Sequence, residues 1–228
     1  MRRISNDEFE LLKAEASRLT KPENEYRDND YITALVNTVL DKQLHRVTIQ
    51  RAEDHFATCV KIKTLRDLVK LMENFSDDTT GNTQLARVLW NYDYWNRAQD
   101  LRRLTRYYEE RQVTDLESLK LWAHTSDYER DFHKQIPNLA YASYQWIRIR
   151  MGVNTVKPDS RLRKWVEDRV GWIPNDKELV RVMQRVAREI GWRADHLDWA
   201  IWDQQEHNPH VPCRQMIRPS RNHLMFGR

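Results

Sequence analysis

The sequence predicts an all-α protein, and three observations predict it. Apolar residues recur at three- and four-residue spacing along most of the chain. No stretch of any length alternates apolar and polar residues as a half-buried strand requires. Only 5 Gly and 7 Pro occur in 228 residues, too few for many tight hairpins. At this length the chain buries either one good core or two small lobes sharing a cleft.

Residues 6–18 place Phe9, Leu11, Leu12 and Ala16 at helical spacing and predict a short amphipathic helix. Residues 19–30 are polar, contain a Pro, and read as a linker. The clearest helix is Asn29–Leu40, where Ile32, Leu35, Val36, Val39 and Leu40 fall at i, i+3, i+4, i+7 and i+8. A polar interruption, Asp41–Arg46, precedes a helix from about Val47 to Val60. Thr64–Glu73 repeats the pattern through Leu65, Leu68, Val69 and Leu71, and residues 74–82 read as a loop. Helices over Thr83–Tyr92, Trp95–Glu110 and Leu116–His124 follow. Beyond Ile136 the apolar positions continue through Ala142, Trp146 and Ile149. Ser160–Val170, Asp176–Ile190 and Asp195–Gln205 complete about ten helical elements, ahead of a tail rich in His, Pro and Arg. No internal repeat is present.

Charged residues make up 32% of the chain and the mean hydropathy is −0.86, which argues against any membrane span. The first residues, Met-Arg-Arg-Ile-Ser-Asn-Asp-Glu, lack an apolar signal core, so a cytoplasmic location is expected. Cys59 and Cys213 are too few and too far apart for a disulfide framework or a four-thiolate metal site. Of the 38 basic residues only 11 are Lys. Arg binds phosphate bidentately and stacks on bases, so this choice suits a nucleic-acid partner, although it is also a common compositional preference. Most of the nine Trp belong in the core, with one or two available to line a base pocket.

The most informative stretch runs from Gly152 to Val166. A small, turn-prone loop ends at Asp159-Ser160, and Leu162, Trp165 and Val166 then recur at helical spacing. Asp at that place is a good helix N-cap, because its carboxylate accepts from orphan amides of the first turn. A carboxylate fixed at the positive end of a helix, on the lip of a cleft, also suits stabilisation of a developing cation. The residues alone leave both roles open.

With this layout the chain resembles the helix-hairpin-helix DNA glycosylase superfamily, the group containing endonuclease III. Three segments carry the resemblance, in the family's order, across roughly residues 30 to 170. Tyr31–Ala52 looks like the first long helix of that fold and the loop after it. Ile136-Pro-Asn-Leu-Ala-Tyr-Ala-Ser143 occupies the place of the hairpin, and Val156-Lys-Pro-Asp-Ser-Arg-Leu-Arg-Lys164 resembles the catalytic-Asp segment. The resemblance implies a six-helix barrel over residues 29–156 and a second helical lobe combining 1–28 with 157–228, with a DNA groove between them.

It also implies roles. Asp159 is the catalytic carboxylate, and Gln43, with His45 and Arg46, fills or braces the gap left by an everted nucleotide. The hairpin residues Pro137, Asn138, Leu139 and Ala140 and the neighbouring Lys157 are the remaining DNA contacts. The hairpin departs from the family, because the places of its two glycines are held by Ile136 and Asn138. Asn tolerates left-handed geometry and Ile does not, so DNA affinity is expected to rest more on Arg side chains. Ala140 stands where the lyase branch carries a Lys, so no Schiff-base chemistry is expected there. The family's cluster loop needs four Cys and only Cys213 is at hand, so neither an iron–sulfur cluster nor another metal is expected. The expectation is a monomeric, nucleoid-associated, monofunctional glycosylase acting on duplex DNA.

Two rival readings stand beside it: a DNA-structure binder that has kept the fold without the chemistry, and a helical interaction protein for which Asp159 is only a cap. In Asp195–Gln205, Asp198 and Trp202 share one helix face and Trp199 and Asp203 share another. Asp195 and His196 have no partner ligands at metal spacing, so the segment reads as a core helix. Trp90, Tyr92, Tyr94 and Trp95 form an aromatic cluster at a helix junction, read as core packing rather than base stacking.

Overall fold

The computed structural model describes residues 2–23, 28, 30–40, 44 and 46–207, and among them there are helices and no strand. Ser5 opens α1 (Asn6–Ala16) with a capping box, its hydroxyl accepting from the Glu8 amide while the Glu8 carboxylate accepts from the Ser5 amide at 2.8 Å. In α2 (Tyr31–Leu40) every residue except Thr33 is buried. Then follow α3 (Arg46–Cys59), α4 (Leu65–Glu73), α5 (Thr79–Trp90), α6 (Trp95–Glu109) and α7 (Leu116–Thr125). A five-residue π turn, Tyr128–Phe132, leads to α8 (Tyr141–Arg150), α9 (Ser160–Val170), α10 (Asp176–Glu189) and α11 (Ala194–His207). None of the described helices is long and apolar enough to cross a membrane.

Two elements differ from the pattern in the sequence. The helix expected from Thr83 starts at Thr79, inside the stretch that reads as a loop. Asp78 caps it, accepting from the Gly81 amide at 2.8 Å. Arg102 of α6 fastens the approach, donating to Asn82 Oδ1 and to the Phe75 carbonyl, both at 2.8 Å. A first turn made of Thr, Gly and Asn carries no apolar periodicity, so its helical state comes from these polar partners. The π turn has a different explanation. Its middle is polar, but Phe132 is fully buried and packs with Tyr107, Trp122, Tyr128 and Tyr144. The Trp90–Trp95 cluster divides, with Trp90 fully buried and Trp95 41% exposed.

The buried apolar residues fall into two clusters. One runs from Tyr31 of α2 to Val153, just past α8. The other combines Phe9, Leu12 and Ala16 of α1 with Val156 and residues of α9, α10 and α11. The helix nearest the N-terminus thus packs with the last three. Tyr141, at the start of α8, touches both clusters. Arg150, at the end of α8, is 1% exposed and makes a two-pronged ion pair with Asp28, whose backbone amide also donates to the Arg150 carbonyl at 3.0 Å.

Gly81 offers a direct test of the polar start of α5. Ala is the better helix former by about 1 kcal/mol. A Cβ at this position, however, would lie 2.1 Å from the Ser76 carbonyl oxygen and 2.6 Å from its nitrogen. Both atoms are backbone and cannot swing away, so the clash outweighs the propensity. Gly81→Ala is expected to lower stability by roughly 1–3 kcal/mol in urea unfolding. An unchanged or higher midpoint would show that the 74–78 approach is free to shift.

Candidate active site

The loop between α8 and α9 is short and held at nearly every residue. Gly152 ends α8 in the left-handed region, at φ 83°, where a side chain would be strained. Its carbonyl accepts from Arg193 at 3.1 Å. The Asn154 side chain accepts from the Ala194 amide at 2.6 Å, and its carbonyl accepts from Gln184 at 3.0 Å. Thr155 donates to the buried Gln145 at 2.8 Å, and Val156 is fully buried. The Pro158 carbonyl accepts from Arg163 Nε at 3.0 Å. The Asp159 amide donates back to the Lys157 carbonyl at 2.8 Å, a three-residue turn centred on Pro158. The loop therefore presents Asp159 from a rigid base rather than on a mobile arm.

Asp159 is the N-cap of α9. Its Oδ1 accepts both the Arg161 amide, at 2.9 Å, and the Leu162 amide, at 3.1 Å. Both of these bonds to the carboxylate fall on this one oxygen, and none from the described residues reaches Oδ2. The side chain is partly exposed. One oxygen is thus fixed by the helix, and a partly exposed carboxylate at a helix start is able to stabilise positive charge or to accept a proton from water.

Behind this carboxylate stands a second one that the sequence reading assigned to the core. Asp198 of α11 accepts the Lys157 backbone amide on Oδ1 at 3.0 Å. It keeps some accessible surface while protein encloses the carboxyl. Burial pushes this carboxyl well above the usual carboxylate range, and the charge of Asp159 pushes it further, while the Lys157 amide bond works the other way. Nothing in the sequence pairs residues 157 and 198. The shared face of Asp198 and Trp202 is visible there, but not what that face meets.

Aromatic rings flank the pair. The Lys157 ammonium lies 4.6 Å from the centroid of the Trp146 ring, on α8. In the first turn of α9, the Arg161 guanidinium lies 4.4 Å over the Trp202 ring, which stacks on Trp199 at 5.5 Å. Trp146, Trp199 and Trp202 are all partly exposed.

The hairpin segment lies at the other end of α8, a ten-residue helix that rises about 15 Å. Asn138 adopts the left-handed region at φ 71°, as a glycine would. Its side chain turns inward and donates to Asp100, 2% exposed, at 3.1 Å. Ile136 is not in that region and is buried. The Leu139 side chain is also buried, and its amide donates to the Ile136 carbonyl at 3.2 Å. Pro137 and Ala140 are exposed, and Ala140 begins α8 with no side-chain cap. Gln43 and His45 lie outside the described residues, as does the side chain of Arg46, whose backbone begins α3. The structure brings Lys157, Asp159 and Asp198 together. An open groove of 540 Å³ lies elsewhere, between α4 with its cap Thr64 and Glu109 and Thr114, and holds none of these residues.

A family model described as a domain of unknown function (DUF8548) covers residues 29–206. No curated protein and no solved structure matches the chain.

Proposed function

We propose that this chain, which belongs to the DUF8548 domain family through residues 29–206, is a monofunctional DNA glycosylase that everts a damaged or modified base from duplex DNA and hydrolyses its bond to the sugar. The observation that carries the reading is the divided bonding of Asp159, one oxygen held by two helix amides and the other reached by none from the described residues. The proposed architecture is the two-lobed one, with the two apolar clusters as the cores of a helical barrel and a terminal lobe and DNA between them.

A base in a duplex must leave the stack before its glycosidic bond is exposed, at a cost of a few kcal/mol. As that bond breaks, its electron pair goes to the base and positive charge builds on the sugar. Asp159 Oδ2 faces this charge and takes a proton from the attacking water, whose oxygen bonds to the anomeric carbon. The departing base takes up a proton in turn. Preorganisation supplies the advantage, since the loop bonds fix the carboxylate before substrate arrives. Gln43, His45 and Arg46 are proposed to fill the vacated stack. Lys157 and the hairpin are proposed to meet the backbone. No metal or organic cofactor takes part in this scheme.

Two measurements test it. Duplex affinity should fall steeply with salt, by about 0.9 in log–log slope for each phosphate neutralised, and failure to bind duplex at low salt would remove the reading. Base release should leave an intact abasic strand that breaks only after alkali or heat, because Ala140 offers no amine. A covalent protein–DNA adduct trapped by borohydride would contradict the monofunctional assignment and direct attention to Lys134 and Lys157.

A further inference from the structure

Asp198 is not accounted for by hydrolysis at Asp159 alone. It sits on α11, 41 residues along the chain from Lys157, and yet its carboxyl oxygen accepts the amide that opens the turn carrying Asp159. Two carboxylates brought together in a part-buried site do not both ionise freely, because like charges repel and each ion needs solvation. The two environments differ. Asp159 has two helix amides on one oxygen and is partly exposed. Asp198 has a single amide and is enclosed.

We propose that Asp198 is the positioning residue of this site, an enclosed, neutral carboxyl that anchors the Lys157–Asp159 turn through the Lys157 amide. Its part in catalysis rests on the reading of Asp159 as the carboxylate at the sugar. The charge state of Asp198 does not depend on that reading.

The groups around Asp198 agree with this assignment. From the loop, Asp159 opposes its ionisation and Lys157 favours it, with the Lys157 ammonium directed onto Trp146. On its own helix Asp195 opposes it, and the charge of Asp195 is itself engaged by Arg193 at 2.9 and 2.8 Å. His196, also on α11, has ring nitrogens that meet no partner among the described residues. From α9, Arg161 lies over Trp202. On α10, Arg181 and Arg185 pair with Glu178 and Glu189 of their own helix. Burial and Asp159 together outweigh Lys157.

The test is the thermal stability of the full chain against pH, wild type beside Asp198→Asn. A carboxyl whose folded value is raised stabilises most below its unfolded value, about 3.9, and that contribution is lost as pH rises through the folded value. Wild type should therefore lose melting temperature relative to Asp198→Asn as pH climbs from 4 toward 8, by roughly 2–4 °C or more. A variant that melts lower than wild type by the same margin at every pH, or by a growing margin at alkaline pH, would show that Asp198 is not a protonated partner. For positioning, Asp198→Leu removes the acceptor and should reduce base release on the order of tenfold to a hundredfold. Asn, which keeps the acceptor, should restore most of it, and a Leu variant as active as wild type would overturn the positioning role. Absence of base release by wild type would sink the glycosylase reading, and the melting comparison would still decide the charge state.

Discussion

Replacing Asp159 by Asn is expected to abolish base release while leaving the fold and duplex binding nearly intact. Asn is as good an N-cap as Asp, so its amide oxygen can accept from the Arg161 and Leu162 amides in the same geometry. Loop and helix should stay where they are. What is lost is the negative charge and the capacity to take a proton. Charge stabilisation in a preorganised site contributes several kcal/mol, so the single-turnover rate should fall at least about a hundredfold. Far-ultraviolet circular dichroism and the duplex dissociation constant should stay near wild type. A variant that keeps wild-type activity on an accepted substrate would remove Asp159 from the chemistry and leave it as a cap.

The largest expected effect on stability belongs to Arg150. Its side chain is 1% exposed, and its partner Asp28 is 10% exposed. Arg150→Met fills similar space but leaves the Asp28 carboxylate without its counter-ion, and breaking a buried pair from one side costs about 3–5 kcal/mol. That is a large fraction of the roughly 5–15 kcal/mol that holds a domain folded. The double replacement Asp28→Asn with Arg150→Met should recover part of the loss, because no unpaired charge remains. Urea unfolding of the three variants gives the answer. A single-variant loss below about 1 kcal/mol would mean that water solvates Asp28 well enough to make the pair dispensable. The pair also bears on the candidate site, since Arg150 ends the helix from which the Asp159 loop departs.

Much of the helical order is legible in the sequence where an apolar stripe faces a core. Ile32, Leu35, Val36, Val39 and Leu40 mark α2 by spacing and are all buried. Leu162, Trp165 and Val166 do the same for α9. The reading fails where polar bonds make the helix. Thr79–Asn82 is helical through Asp78 and Arg102, and neither partner leaves a periodic trace. The π turn escapes for a related reason, being five residues long and stabilised by aromatic contacts with α6, α7 and α8. In the candidate site, Asp159 is legible because a cap is a local feature, with a proline before it and an apolar stripe after it. Asp198 is not, because its meaning depends on how α11 lies against the 157–159 turn. Asn138 shows both sides. Its tolerance of left-handed backbone follows from residue type, while its inward bond to Asp100 is a tertiary fact.

Release of a base from duplex DNA through Asp159 can be tested in a single experiment. A panel of duplexes, each carrying one oxidised, alkylated, deaminated or mismatched base, incubated with excess wild-type protein and with Asp159→Asn and then treated with alkali, tests it most directly. The account predicts alkali-dependent cleavage at the lesion in at least one duplex with wild type, and none above background with the variant. Duplex binding without cleavage across the whole panel, or equal cleavage by both proteins, would contradict it.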